Sequence, residues 1–214
     1  MVSAWGCRNR LVLGQEATDE KSNEITAIPK LLELLEFKGC IVNIDAMGCQ
    51  TKIAAQIVGQ GGDCVLGLKG NQSTLHEEVE EFFTTASAGE FANVVHDHTE
   101  EADKDHGRLE VRRYWVTEEL STLSDTAHWS ALRSIGLVER ECWIEDRHTV
   151  DRCVFINSIP ADAALIIVWS KTQRKRKDSC DLIFQISALS LGALPPLRIE
   201  EFRSRAKHYP FLFF

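Results

Sequence analysis

Residues 39–72 read GCIVNIDAMGCQTKIAAQIVGQGGDCVLGLKGNQ, and the rest of the chain is organised around them. Two short apolar runs, residues 41–44 and 64–68, are too short for helices and are typical of buried strands. The segment between them places apolar residues at helical spacing and ends at a pair of glycines. This order predicts a βαβ unit, in which the two strands are parallel neighbours in one sheet.

A carboxylate and a polar loop follow the two predicted strands. Asp45 comes directly after the first strand, and residues 69–72 follow the second. Because parallel strands end at the same edge of a sheet, we expect both on one rim, where α/β folds place their sites. Asp45 could bind Mg²⁺, which prefers hard oxygen ligands, or could cap the turn that follows it. Residues 69–72 could contact phosphate oxygens or form a plain strand-to-helix loop.

Composition bounds the class of protein. The chain has 214 residues, of which 44% are hydrophobic, and its formal net charge is −8. This length favours one domain, or one domain with a small appendage. We expect no membrane span and no signal peptide, and the scattered cysteines favour reduced thiols in a cytoplasmic protein. The negative charge argues against indiscriminate DNA binding, although it allows a local basic face.

The chain before and after this unit shows alternating helix and strand patterns. Residues 1–5 and 11–15 predict a β-hairpin. Residues 24–37 predict an amphipathic helix that Pro29 either kinks or begins. After the βαβ unit, a helix capped by Ser73 is expected to continue through residue 83.

The second half of the chain has a β pattern. Residues 90–105 are polar and acidic, and predict a loop with room for one edge strand. Residues 109–115 alternate between apolar and polar, and residues 135–144 and 150–156 form a strand pair around a polar turn. These runs predict an antiparallel sheet inserted after the α/β half. Beyond them, a basic run at residues 171–177 and an aromatic C-terminus fit no periodic element.

Three further polar clusters are weaker candidates for a site. Residues 96–98, His-Asp-His, could bind a metal, but without a third ligand nearby a polar loop is the better interpretation. Residues 106–108, followed by Arg112 and Arg113, give either a basic strand edge facing nucleic acid or a solvated hairpin entrance. The basic run at 171–177 could contact DNA, although such runs are more often disordered.

Several long motifs carry a family resemblance. They are IVNIDAMGCQ at residues 41–50, LGLKGNQSTLHEEVEEFF at 66–83 and KDHGRLEVRRY at 104–114, with LVLGQEATDEKSNEITAIPKLLELL at 11–35 in the same pattern. With these motifs the chain resembles the DDE transposases of bacterial insertion sequences, in the branch of the H-repeat-associated proteins. The resemblance covers residues 2–162.

The resemblance implies an RNase H-like α/β fold, with a mixed sheet, flanking helices and an antiparallel β-rich insertion. The implied division is a partial catalytic core at residues 1–90 that lacks its first strand, the insertion at 91–160, and a divergent tail at 161–214. A shifted reading frame would explain the tail. The implied activity is Mg²⁺-dependent DNA cleavage and strand transfer. The implied partners are the DNA ends of an insertion sequence, an intact transposase or a second copy of the chain.

The resemblance also implies site residues. The family has three Mg²⁺-binding acids, and the second of them falls on Asp45. Two motifs, one beside the site and one that opens the insertion, imply positions that contact DNA or support the site: Lys69, Asn71, Gln72, His106, Arg108 and Arg112.

Two family segments are missing from this sequence. The first acid belongs to an I-D-G-K-like segment ahead of the hairpin, and the third to a W-x-I-E-N-like segment after the insertion. Their absence predicts a catalytically incomplete remnant with weak or no Mg²⁺ binding. The alternative is a non-catalytic regulator that binds DNA or a transposase. Because the family places its first strand beside the strand at residues 41–45, its loss predicts an exposed apolar edge there and a tendency to aggregate.

Overall fold

The computed structural model describes residues 1–7, 11–18, 24–105, 107–167 and 182–188. Three helices and nine strands lie within these ranges. In chain order they are β1 (Val2–Gly6), β2 (Leu11–Glu16), α1 (Glu24–Glu33), β3 (Cys40–Ile44), α2 (Thr51–Gly59), β4 (Asp63–Gly67), α3 (Ser73–Ala88), β5 (Asp97–Asp105), β6 (Arg108–Thr117), β7 (Ser134–Ile144), β8 (Arg147–Asn157) and β9 (Leu182–Ala188). A short helical turn at residues 163–167 lies between β8 and β9.

The described strands form one mixed sheet in the order β2-β1-β9-β3-β4-β8-β7-β6-β5. β3 and β4 pair in parallel with α2 between them, which confirms the predicted βαβ unit. β1 and β2 form the predicted antiparallel hairpin. The fold is therefore α/β, a partial RNase H-like mixed sheet with flanking helices and an antiparallel β-rich insertion.

The insertion continues the sheet of the core. Strands β5 to β8 pair antiparallel in succession, as the alternating sequence pattern predicted. β5 is the edge strand for which the acidic stretch left room. β8 joins the core because its last residues pair antiparallel with β4, where Gly67 lies opposite Phe155.

Three helix boundaries differ from the sequence prediction, and one of them is the end of α3, which lies at Ala88 and not at the predicted residue 83. α1 ends at Glu33, before the predicted end at residue 37, because the chain turns there with hydrogen bonds from Leu34 and Leu35 to carbonyls three residues back. Pro29 lies inside α1 and does not begin it. Ser73 is the first residue of α3, and the preceding residue occupies the cap position.

The core fills both faces of the sheet, and β3 contributes to each. Val42 and Ile44 belong to the cluster that packs under the helices. Ile41 belongs to a second cluster, which also contains Phe155 of β8 and Ile166 of the short turn. Successive residues of a strand point to opposite faces, so β3 is buried throughout and is covered from both sides.

The expectation of an exposed apolar edge at residues 41–45 is wrong. β9 lies between β1 and β3, parallel to the first and antiparallel to the second. Ile186 of β9 is 7% exposed and joins the core. β3 therefore has a strand on each side, because the tail that follows residue 161 supplies one. The aggregation expected from an open edge loses its physical basis.

The rest of the tail, including the basic run at residues 171–177 and residues 189–214, lies outside the described residues. Within the parts that are described, no helix has both the length and the hydrophobicity needed to cross a membrane. The cysteines in those parts are free thiols.

Candidate functional site

Asp45 follows β3 at its carboxyl end, as the sequence predicted. Its backbone is extended, and its Oδ1 atom accepts a hydrogen bond from the Met47 N–H at 3.2 Å. This bond caps the short 3₁₀ turn Ala46–Gly48. The capping role that the sequence left open is therefore present. A carboxylate has about four acceptor positions, so one bond leaves capacity for a metal ion or another donor.

The loop after β4 is bound to the loop after β3. The Asn71 side-chain amide donates to the Ala46 carbonyl at 2.7 Å and lies 3.5 Å from the Cys49 carbonyl. The Gln72 amide donates to the Cys49 carbonyl at 3.0 Å. These bonds place the two loops on one rim, as predicted from the parallel strands. They also show that Asn71 and Gln72 support the turn that begins at Asp45.

Two glycines allow close packing at this rim. A Cβ atom on Gly67 would lie 3.3 Å from the Ala46 nitrogen, so β4 approaches the backbone of the Asp45 turn closely. A Cβ atom on Gly48 would lie 2.3 Å from Cγ2 of Ile44 and 2.9 Å from Cδ1 of Ile28. Gly48, and Gly67 opposite the turn, thus have a packing reason that the sequence pattern did not reveal.

Lys69 is the exposed cation of the rim. It precedes the short 3₁₀ turn Gly70–Gln72 in an extended conformation. The loop that carries Lys69 begins beside β8, because the Leu68 N–H donates to the Val154 carbonyl at 2.9 Å.

The strands of the insertion project beyond this rim. β8 runs antiparallel to β4, so its residues from Cys153 back to Arg147 extend past the end of β4. We call the projecting part of β6, β7 and β8 the arm. At about 3.3 Å per residue along β8, the arm is about 20 Å long. Arg108 of β6 lies opposite Ile144 of β7, which in turn lies opposite Arg147 of β8. Arg108 is therefore at the far end of the arm. The length of the arm therefore separates Arg108 from Asp45, although the arm projects from the same edge of the sheet at which β3 ends.

The basic residues of the arm are matched by carboxylates. Arg113 contacts Glu100 at 2.7 Å, Glu141 at 3.1 Å and Glu139 at 3.3 Å. Arg152 contacts Glu139 at 2.7 Å. These pairs lie across neighbouring strands, where opposite charges stabilise the sheet. For Arg113, these contacts favour the solvated hairpin entrance over a basic strand edge that faces nucleic acid.

Arg108 and Arg112 share a buried carboxylate. Glu110 is 2% exposed and pairs with the side chain of Arg108, which is 44% exposed. The Arg112 side chain is 7% exposed, and its Nε atom lies 2.7 Å from Oε1 of Glu110. This contact is an ion pair between the guanidinium and the carboxylate. Arg112 is therefore buried within the insertion, whereas the side chain of Arg108 reaches the surface. His106 lies outside the described residues.

The His-Asp-His cluster is used for packing and capping. His96 lies against Phe91 and His98 against Trp115, with ring centroids 4.8 and 5.0 Å apart. Asp97 begins β5 and accepts a hydrogen bond from the Ala163 N–H at 2.7 Å. Across the described ranges, no three His, Cys, Asp or Glu side chains converge in a way that could hold a metal ion.

Replacing Asn71 with alanine is expected to destabilise the chain by about 1 kcal/mol, because the Ala46 carbonyl loses its side-chain donor and keeps only the Cys49 N–H at 3.2 Å. Urea denaturation measures the loss, and hydrogen exchange of residues 46–49 is expected to accelerate with it. Gln56→Ala is the control, since it removes a comparable amide bond to the Pro29 carbonyl at 2.9 Å. Unchanged exchange at 46–49 in the Asn71 variant would contradict the supporting role.

Alkaline pH is expected to destabilise the fold through two buried thiols. Burial raises the pKa of Cys49 to about 12 and that of Cys64 to about 11. The unfolded chain loses these protons near pH 8.5, so the free energy of unfolding falls as pH rises from there toward the folded pKa values. Each thiol contributes up to about 1.4 kcal/mol per pH unit in that range. A Cys49→Ala variant, unfolded by urea from pH 8 to 10, should show a shallower decline; parallel curves would refute this.

The chain is similar in sequence to several known proteins. A family model described as a transposase DDE domain matches residues 1–171. An "uncharacterized protein in dhlA 3′ region" of Xanthobacter autotrophicus is 41% identical over 162 residues, which are 76% of this chain and 54% of that protein. The "H repeat-associated putative transposase" YhhI of Escherichia coli K12 is 44% identical over 136 residues, 63% of this chain and 35% of that protein. Its counterpart YbfD is 46% identical over 125 residues, 58% of this chain and 48% of that protein.

The chain spans between about a third and about half of the length of these relatives. No solved structure matches it. The rim that carries Asp45, the sheet that positions it and the matched sequence agree, and the chain belongs to the DDE transposase family, in its H-repeat-associated branch.

Proposed function

We propose that this chain is a transposase-derived protein of an insertion sequence, from a family that cleaves and joins DNA, and that the chain alone is catalytically incomplete. The observation that carries the proposal is the rim. Asp45 stands at the end of β3, the Asn71 amide holds its turn at 2.7 Å, and exposed Lys69 lies on the neighbouring loop. A carboxylate beside a cation at the carboxyl ends of parallel strands suits a phosphodiester substrate.

Mg²⁺ is the metal that the family implies. When bound in such a site, it activates water or a DNA 3′-hydroxyl for attack on phosphorus. Asp45 offers the hard oxygen ligand that Mg²⁺ prefers. A two-ion site needs several converging carboxylates, and among the described residues no three His, Cys, Asp or Glu side chains converge at the rim or elsewhere. The residues fit a single weakly held ion, so no cleavage step is assigned to this chain.

The proposed DNA contacts divide between the rim and the arm. Lys69 would contact a phosphate at the rim, and Arg108, with His106 beside it in sequence, would contact one at the end of the arm. Asn71, Gln72 and Arg112 act as supporting residues. A cytoplasmic location is part of the same proposal, since DNA is the proposed partner.

The test measures both cleavage and binding. The purified chain is mixed with duplex DNA that carries the terminal inverted repeats flanking its coding sequence, in Mg²⁺ and in Mn²⁺. We expect no nicking, and detectable nicking would overturn the claim of incomplete catalysis. Binding is followed by fluorescence anisotropy at several salt concentrations, since phosphate contacts make affinity salt-dependent.

A pair of matched variants tests the rim. Lys69→Gln should weaken DNA binding and reduce the salt slope by about one, as the loss of one phosphate contact does. Lys30→Gln is the control, because Lys30 is 68% exposed on α1 and its nearest carboxylate is that of Glu16 at 3.9 Å. Equal effects of the two variants would remove Lys69 from the proposed interface.

A non-catalytic regulator of transposition is the second candidate. The continuity of the insertion with the core sheet favours it. A continuous sheet of the nine described strands, with a long arm, can bind a partner without a complete catalytic site. Adding the chain to an active relative and its DNA ends separates the two candidates. A regulator reduces strand transfer in proportion to its concentration, whereas a remnant leaves the rate unchanged.

A further inference from the structure

One strand of the sheet comes from a distant part of the chain. β1 and β3 are not paired with each other, and β9 fills the position between them. Residues Val2–Gly6 of β1 lie opposite Leu182–Ile186 in parallel. Residues Cys40–Asn43 of β3 lie opposite Ala188–Gln185 in antiparallel register. Among the described strands, β9 alone connects the β1–β2 hairpin to the remaining sheet by backbone hydrogen bonds.

Leaving the position of β9 empty would cost free energy of folding. Every residue of β3 is buried, and Val42 and Ile44 are fully so. On β1, Val2 and Ala4 are fully buried as well. Without β9, both strands would present unpaired backbone groups along buried apolar edges, and such edges readily pair with another strand.

The sequence of β9 suits this position. Leu182–Ala188 reads LIFQISA, which contains no charge, no proline and no glycine. Segments of this type pair with exposed sheet edges through their backbones, and pockets for alternate side chains give specificity. The side chain of Ile186 is 7% exposed. It belongs to the core cluster that also contains Val42 and Val2. β9 fills the position in one direction, parallel to β1 and antiparallel to β3.

We propose that residues 182–188 are a complementing strand that closes a strand-accepting slot between β1 and β3. The occupant of the slot is this segment, supplied by the same chain. When the strand is weakened in its own chain, the slot accepts the same segment from a second copy or from a peptide. This assignment depends on the sheet alone and does not rest on the proposed function.

Hydrogen exchange of the full-length chain tests the first part. In the native chain, amides of β1, β3 and β9 are protected together. Ile186→Asp places a charge in the core, and we expect exchange in β1 and β3 to become at least about tenfold faster while β6 to β8 keep their protection. Rapid exchange of residues 182–188 in the native chain, or unchanged protection of β1 and β3 in the variant, would overturn the proposal.

A peptide tests the second part. A labelled peptide of residues 180–190 is added to the Ile186→Asp chain, and its binding is followed by anisotropy and by recovery of protection in β1 and β3. A peptide of the reversed sequence has the same composition and is the control for direction. We expect binding by the forward peptide only, and none to the native chain, whose slot is closed. Equal binding by both peptides, or no binding by the forward one, would overturn the slot.

The milder variant Ile186→Ala covers the case in which the aspartate variant does not fold. Faster exchange confined to β1, β3 and β9 in this variant supports the slot. Equal acceleration in all strands, β6 to β8 included, shows that β9 is an ordinary part of one cooperative sheet and overturns it.

Discussion

Replacing Glu110 with alanine is expected to destabilise the chain by about 3–5 kcal/mol, the cost of removing one partner from a buried ion pair. Glu110 is 2% exposed, and it is the carboxylate beside the guanidinium of Arg112, whose side chain is 7% exposed. Without that carboxylate, a buried positive charge keeps its desolvation cost and loses a close opposite charge. Urea denaturation followed by far-UV circular dichroism measures the change.

The control for this prediction is Glu100→Ala. Glu100 contacts Arg113 at 2.7 Å but is 48% exposed, and an exposed pair contributes about 0–1 kcal/mol. Replacing both Glu110 and Arg112 with leucine should recover much of the loss, because an apolar pair carries no buried charge. Equal losses for the Glu100 and Glu110 single variants would show that burial does not determine the cost here.

Gly48→Ala is expected to destabilise the chain by about 3 kcal/mol, at the upper end of the cost of overpacking a core. The added Cβ atom would lie 2.3 Å from Ile44 and 2.9 Å from Ile28, and both of these side chains are fully buried. Because neither has room to move, the Asp45 turn must shift. Thermal and urea unfolding measure the stability, and faster hydrogen exchange at residues 46–49 reports the shift of the turn.

Gly59→Ala is the matched control for that substitution. Gly59 ends α2, and a Cβ atom there meets nothing within 4 Å. Alanine is favoured over glycine in a helix by up to about 1 kcal/mol, so this variant should be as stable as the native chain or more so. If Gly48→Ala were tolerated equally well, the close packing under Asp45 would be absent in solution.

Under the proposed function, DNA would lie against both the rim and the arm. Asp45 and Lys69 lie on adjacent loops that side-chain amides tie together. The arm of β6 to β8 projects from the same edge by about 20 Å, which is about six strand residues. Most arginines along it are already paired with carboxylates, so a few exposed cations, and not a broad basic surface, would determine DNA affinity.

Local patterns in the sequence were sufficient for the elements and their order. The apolar run before Asp45, the helical spacing after it and the second run predicted the βαβ unit, because periodicity is a property of neighbouring residues. The same is true of the hairpin at the start of the chain and of the alternating strands of the insertion. The shared rim followed as well, since parallel strands end at one edge.

The roles of individual side chains were decided by packing between distant residues. Asn71 could have faced DNA, but it lies within reach of the Ala46 carbonyl, 25 positions away. Arg112 belongs to a basic motif, yet it is buried beside Glu110. Sequence patterns record which residues are polar, and only the folded contacts show which of these are satisfied inside the protein.

Local periodicity and contiguous motifs were enough to give the family, the βαβ unit and the place of Asp45 at a strand end. The central place of β3 in the sheet, by contrast, depends on contacts that form only in the folded chain. Its neighbour β9 comes from a segment with no family pattern, and backbone hydrogen bonds between strands make no demand on sequence similarity. The burial of a strand depends on what pairs with it, and that partner can come from any part of the chain.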